Sequence, residues 1–201
     1  MPMRSGPMAA MLMALVTAAP AATSQGGARG EFVITTLAER RTDHLPPGPL
    51  YWRIESFATG AAARSAEGPY ALAASPSGRH WLFTLGPARG RTPGGRPVAE
   101  LGPVSIPVAR SYLLRINRAG GPPAAATPVH THPGSEAIYV LRGRVTQRTS
   151  HGVRHAKAGE TLRAHLPDMP MQLASSGTTD LEQLVMFVVD ADRPFSPPAR
   201  F

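Results

Sequence analysis

The sixteen residues PVHTHPGSEAIYVLRG, running from Pro128 to Gly143, decide how this chain is read. His130 and His132 stand two apart, so on an extended backbone both imidazoles project from one face. Pro133-Gly134-Ser135 predicts a tight turn, because proline fixes φ and glycine permits the reversal. Glu136 then opens the next strand, folded back to bring its carboxylate beside the two rings. Two imidazoles and a carboxylate suit divalent Mn, Fe, Co, Ni, Cu or Zn. As three corners of a site they leave positions open for water or a substrate. The strand that follows is apolar on both faces, with Glu136, Ile138 and Val140 on one side and Ala137, Tyr139 and Leu141 on the other. That pattern predicts a strand buried between two layers.

Outward from this stretch lie many short apolar runs separated by turn signals: Val104–Val108, Ser111–Ile116, Ala137–Arg142, Val145–Thr149, a short run at Val153, Thr161–Ala164, Met171–Ala174 and Leu184–Asp190. Such spacing predicts an all-β sandwich or barrel over residues 103–192. Upstream, residues 23–102 read as an extension with its own strands at Phe32–Leu37, Leu50–Phe57, Tyr70–Ala74 and His80–Leu85. A short helix is expected over Ala58–Glu67, ended by Gly68-Pro69. Gly86–Gly102, rich in glycine and proline, reads as a long loop. A matched Arg-Ile pair, at Arg53-Ile54 and Arg115-Ile116, suggests that the extension is a degenerate repeat. Residues 193–201, PFSPPARF with the preceding Arg193, form a Pro-rich tail.

The spacing of His130, His132, Glu136 and Gly143 resembles the first motif of the cupin superfamily, G-x5-H-x-H-x3–4-E-x6-G. The leading glycine is displaced: Ala124 stands at its position, with Gly120 and Gly121 upstream. The resemblance covers about residues 105–190. It implies a cupin-like jelly-roll barrel whose motif strands line the interior. The family's second motif, G-x5-P-x-G-x2-H-x3-N, supplies a further histidine ligand. Here Gly159 is present, but the ligand position falls on Pro170 or, with one inserted residue, on Met171. Three outcomes stay open: a metal held by His130, His132 and Glu136 with water in the vacancy and Met171 at its edge; His165 as a replacement ligand; or a metal-free pocket for an organic molecule. A thioether from Met171 would favour copper, whereas methionine equally serves as core packing. His44, His80, His151 and His155 sit in loops or at strand ends without such company.

Composition narrows the rest. There is no cysteine, which excludes thiolate zinc sites, iron–sulfur clusters, Cys nucleophiles and disulfides. Twenty glycines and 22 prolines argue against a helical bundle. The net charge is +8, but its arginines are spread along the chain without a basic helix or interleaved aromatics, so no nucleic-acid partner is expected. Arg4, the apolar run Met8–Ala19 and the small residues Ala19-Pro20-Ala21 have the three-part form of a secretory signal, placing residues 1–22 in a signal peptide and the mature chain in the periplasm or outside the cell. No second long apolar run suggests a membrane partner. The resemblance implies a divalent metal acting as Lewis acid or oxygen-activating centre on a small organic substrate, in oxygenase or isomerase chemistry, with Glu136 as ligand or general base. The competing expectations are a non-catalytic small-molecule-binding module and a homodimer formed through edge strands.

Overall fold

The computed structural model describes residues 30–201, so the expected signal peptide lies outside the described residues. Among the described residues, twelve strands and one short α-helix form three layers. The main sheet has the order β1–β6–β12–β7–β10, with β1 at Val33–Thr42, β6 at Tyr112–Gly121, β7 at Gly134–Arg142, β10 at Thr161–His165 and β12 at Leu181–Asp190. A short sheet has the order β11–β8–β9, from Met171–Ser175, Arg144–Thr149 and Gly152–Lys157. These two sheets face each other as the expected jelly-roll barrel. The outer sheet, β3–β4–β2–β5, is built from Ala71–Ala74, His80–Gly86, Tyr51–Phe57 and Arg96–Leu101. Among the described residues no helix is long and apolar enough to cross a membrane.

Strand parity explains the layering. On β12, Leu184, Met186 and Val188 join the core shared with the outer sheet, while Leu181, Val185, Phe187 and Val189 fill the barrel. On β7, Ala137 lies in the outer core with Tyr139 and Leu141 packed against it, and Ile138 and Val140 point into the barrel, as the two-faced apolar pattern predicts. The outer sheet answers with Trp52, Ile54, Leu72, Trp81, Phe83 and Leu85, all essentially inaccessible to solvent. Burying each such side chain is worth about 1.5–3 kcal/mol, so the outer sheet and the barrel share one core.

The short helix α1 (Gly60–Ser65) is where the sequence places it. Thr59 caps it, its side chain accepting a hydrogen bond from the Ala62 N–H at 3.1 Å. Two local expectations are corrected. The stretch read as a loop over Gly86–Gly102 contains β5, which pairs with β2 as an edge strand. Pro97 misled the reading, since an edge strand tolerates a missing N–H. Conversely, no strand forms at Val104–Val108. Pro103 and Pro107 remove ladder donors. The run is apolar because Val104 and Ile106 pack on the outer core, with the Val104 N–H bonded to Leu50 O at 2.8 Å.

Candidate metal centre

The two histidines lie on an extended segment between β6 and β7. It runs beside β11: the His130 N–H donates to Met171 O at 3.0 Å and the Met171 N–H to His130 O at 2.8 Å. The predicted turn at Pro133-Gly134-Ser135 is not there. The chain bends at Pro133 and β7 begins at Gly134. Glycine stands at 134 for close approach instead, since a Cβ would lie 2.2 Å from Val188 O on β12. Gly143 has a similar reason: it turns β7 into β8 at φ +75°, and a Cβ would meet Asp180 O at 2.6 Å.

This backbone brings the three sequence-derived ligands together inside the barrel. One donor atom from each of His130, His132 and Glu136 lies within 4.8 Å of the others, and among the described residues no other three His, Asp or Glu form such a group. Two donors each about 2.0–2.2 Å from one ion are at most about 4.4 Å apart, so little closure is needed. The rings of His130 and His132 sit edge to face, 4.9 Å between centroids. His132 and Glu136 are 3% and 1% exposed.

The hydrogen bonds define the electronic state. His130 Nδ1 is 2.9 Å from Pro128 O, and His132 Nδ1 is 2.7 Å from Phe195 O. A carbonyl only accepts, so both Nδ1 atoms carry the proton and, in neutral rings, both Nε2 atoms present a lone pair. His132 Nε2 lies 3.1 Å from Glu136 Oε2. Two acceptors at that distance require a proton or a cation between them. Glu136 Oε1 is buried without a hydrogen-bond partner among the described residues. A deeply buried carboxylate oxygen left unpaired is costly, and a cation is the species that would satisfy it.

The other residues singled out in the sequence are placed as follows. Met171 is fully buried in the barrel core with Leu173, and its tie to His130 is through main chain. The main chain of His165 pairs with Glu136 across β10 and β7. His155 Nδ1 is bonded to Thr146 Oγ1, and His80 Nδ1 to Ser75 Oγ, both on the surface.

The donors open onto a cavity of about 420 Å³. Phe32, Ile34, Leu173, Val185, Phe187 and Phe195 make it largely apolar. Arg115 and Asn117 add polar groups from β6. Arg115 is tied to Glu39 at 2.7 Å and lies 4.1 Å over the Phe195 ring. Asn117 is buried, and its Oδ1 has no partner among the described residues. Sequence reasoning missed both. Their signal was the shared parity of Arg115 and Asn117, alternating with Leu114 and Ile116, which reads equally as a solvent face. The Phe195 carbonyl leaves no sequence signal at all.

No protein-family model and no curated protein matches the chain by sequence. Solved structures do resemble part of the chain. A cupin superfamily protein from Desulfitobacterium hafniense is 12% identical, with 38% of this chain and 68% of that one covered at a TM-score of 0.35. A double-stranded β-helix protein from Klebsiella pneumoniae is 20% identical over 43% of this chain and 76% of its own, TM-score 0.37. A cupin-like protein from Thermotoga maritima is 17% identical over 43% and 64%, TM-score 0.39. Each of these likenesses covers less than half of this chain.

Proposed function

We propose that the chain binds one divalent transition metal through His130 Nε2, His132 Nε2 and Glu136, and acts through it on a small organic molecule held in the adjoining cavity. The unpartnered Glu136 oxygen beside two bare Nε2 lone pairs carries this reading. A metal bound there supplies Lewis acidity or oxygen activation, with open positions for a ligand. The protein's own groups do the rest. The carbonyls of Pro128 and Phe195 hold each imidazole with its Nε2 toward the site. The phenyl rings exclude water and seat an apolar body, while the free Asn117 oxygen accepts a hydrogen bond from an O–H or N–H of that molecule. Oxygenase or isomerase chemistry fits this arrangement, and residues 1–22 would direct the protein out of the cytoplasm.

The test is metal content and affinity. Protein stripped by chelator and titrated with Mn, Fe, Co, Ni, Cu and Zn salts should take up one equivalent. His130→Ala/His132→Ala should abolish uptake with an unchanged far-ultraviolet spectrum. Less than a tenth of an equivalent for every ion would overturn the metal reading and leave a metal-free binding pocket. If metal binds but oxygen-uptake and isomerisation screens with small phenols and diketones stay blank while those molecules still bind, the protein is a binding module.

A further inference from the structure

Segment 193–201 lies against the histidine-bearing segment on the side opposite β11. The Thr131 N–H donates to Pro197 O at 3.1 Å and the Ala199 N–H to Val129 O at 3.0 Å, so the two run as a short antiparallel pair centred on His130 and Pro198. Phe195, Ser196 and Pro198 form one wall of the cavity. The segment is clipped at its start, where Arg193 donates two hydrogen bonds to the Asp168 carboxylate, at 3.0 and 2.6 Å. That same carboxylate holds the Arg193 guanidinium above its ordinary pKa. The Asp168 N–H in turn donates to His132 O at 2.8 Å.

Within this segment Phe195 is joined to His132 twice. Its carbonyl takes the Nδ1 proton at 2.7 Å, and its ring lies 4.9 Å from the imidazole. The Phe187 ring flanks the imidazole too, at 4.8 Å. A neutral imidazole has two tautomers. With the proton on Nε2, His132 would donate to Glu136 Oε2, already 3.1 Å away. That tautomer carries its lone pair on Nδ1, which faces Phe195 O, and leaves none on the nitrogen beside Glu136. The carbonyl at Nδ1 opposes it.

We propose that Phe195 is a positioning residue of the metal centre: its main-chain carbonyl holds His132 in the tautomer that keeps Nε2 bare, and so couples segment 193–201 to metal affinity. This rests on the metal-site reading above. It predicts that metal binding depends on an atom far from the sequence motif, in a segment whose side chains supply none of the three donors.

The experiment weakens that one acceptor. Replacing Ser196 by its α-hydroxy acid turns the 195–196 amide into an ester, which makes the Phe195 carbonyl a poorer acceptor and keeps every side chain. The Ser196 N–H lost in the exchange has no hydrogen-bond partner among the described residues. Zinc affinity, measured by chelator competition, should fall about tenfold, the usual scale for a lost partner of a ligating histidine. The His132 Nδ1 proton resonance of the zinc-loaded protein should move upfield. An ester between Arg200 and Phe201 should change neither. Full-length Arg193→Ala, made by ordinary expression, removes the clip and should lower zinc affinity several-fold, with the same direction of proton shift. If wild-type protein binds zinc and both the 195–196 ester and Arg193→Ala leave affinity and resonance unchanged, the proposal fails while the metal site stands. If wild-type protein binds no metal, the site itself is overturned first.

Discussion

His132 Nε2 and Glu136 Oε2 face each other at 3.1 Å inside the barrel, and the opposite nitrogen of the same ring is already committed to Phe195 O. Buried charge of this kind is weak evidence for stability, and removing it often stabilises a fold. Glu136→Gln supplies an amide N–H to His132 Nε2 and turns the orphaned carboxylate oxygen into a neutral amide oxygen, which costs less to bury. We expect the chelator-treated variant to be more stable by about 1–2 kcal/mol, a rise of about 2–8 °C in melting temperature for a chain of this size. Its zinc affinity should fall at least about tenfold. Calorimetry in chelator would falsify this account by showing a lower melting temperature than wild type.

The two histidines should separate in their effect on stability. His132 is packed between Phe187 and Phe195, so His132→Ala opens a hole and should destabilise by about 2–4 kcal/mol. His130 is more accessible and sits at the cavity wall, and His130→Ala should lower stability by less than about 1 kcal/mol. Urea denaturation of the metal-free variants checks the order; equal losses would contradict the packing described.

Trp81 is fully buried between the outer sheet and the barrel, its ring 6.4 Å from that of Tyr139 on β7. Trp81→Ala should destabilise by about 3–5 kcal/mol. Because the core is shared, the loss should appear as one shifted transition seen alike by fluorescence and circular dichroism. Two separate transitions would show that the layers fold independently.

Gly143 combines a left-handed φ with a close approach to Asp180 O. A non-glycine residue in that conformation pays about 1–2 kcal/mol, and the contact adds to it. Gly143→Ala should therefore destabilise by at least about 2 kcal/mol in chemical denaturation, whereas Gly159→Ala, also at positive φ but with open space around it, should stay near 1 kcal/mol. Equal losses at the two positions would rule out the contact with Asp180 as a contributor.

The barrel and its three donors were legible because both rest on period-two geometry. His130 and His132 share a face by spacing alone, and the apolar double face of β7 announced a layer on each side. What sat on the far side was not legible, since Trp52 and Trp81 say that they are buried without saying against what. Strand β5 was hidden by its own Pro97 and by the glycines and prolines that flank it, and Val104–Val108 imitated a strand because irregular backbone can be just as apolar when it packs. Gly134 was read for flexibility and is needed for thinness. Phe195 could not be found, because its contribution is a carbonyl that every residue possesses.

The apolar outer wall of β6, β12 and β7 limits how this molecule can be trimmed. Cutting away residues 50–104 would bare Leu114, Ile116, Leu184, Met186 and Val188 along one flat surface, a tacky slab on which neighbouring copies would clump. A minimal version of the protein has to carry its small upstream sheet along, or have those five side chains rewritten as hydrophilic ones.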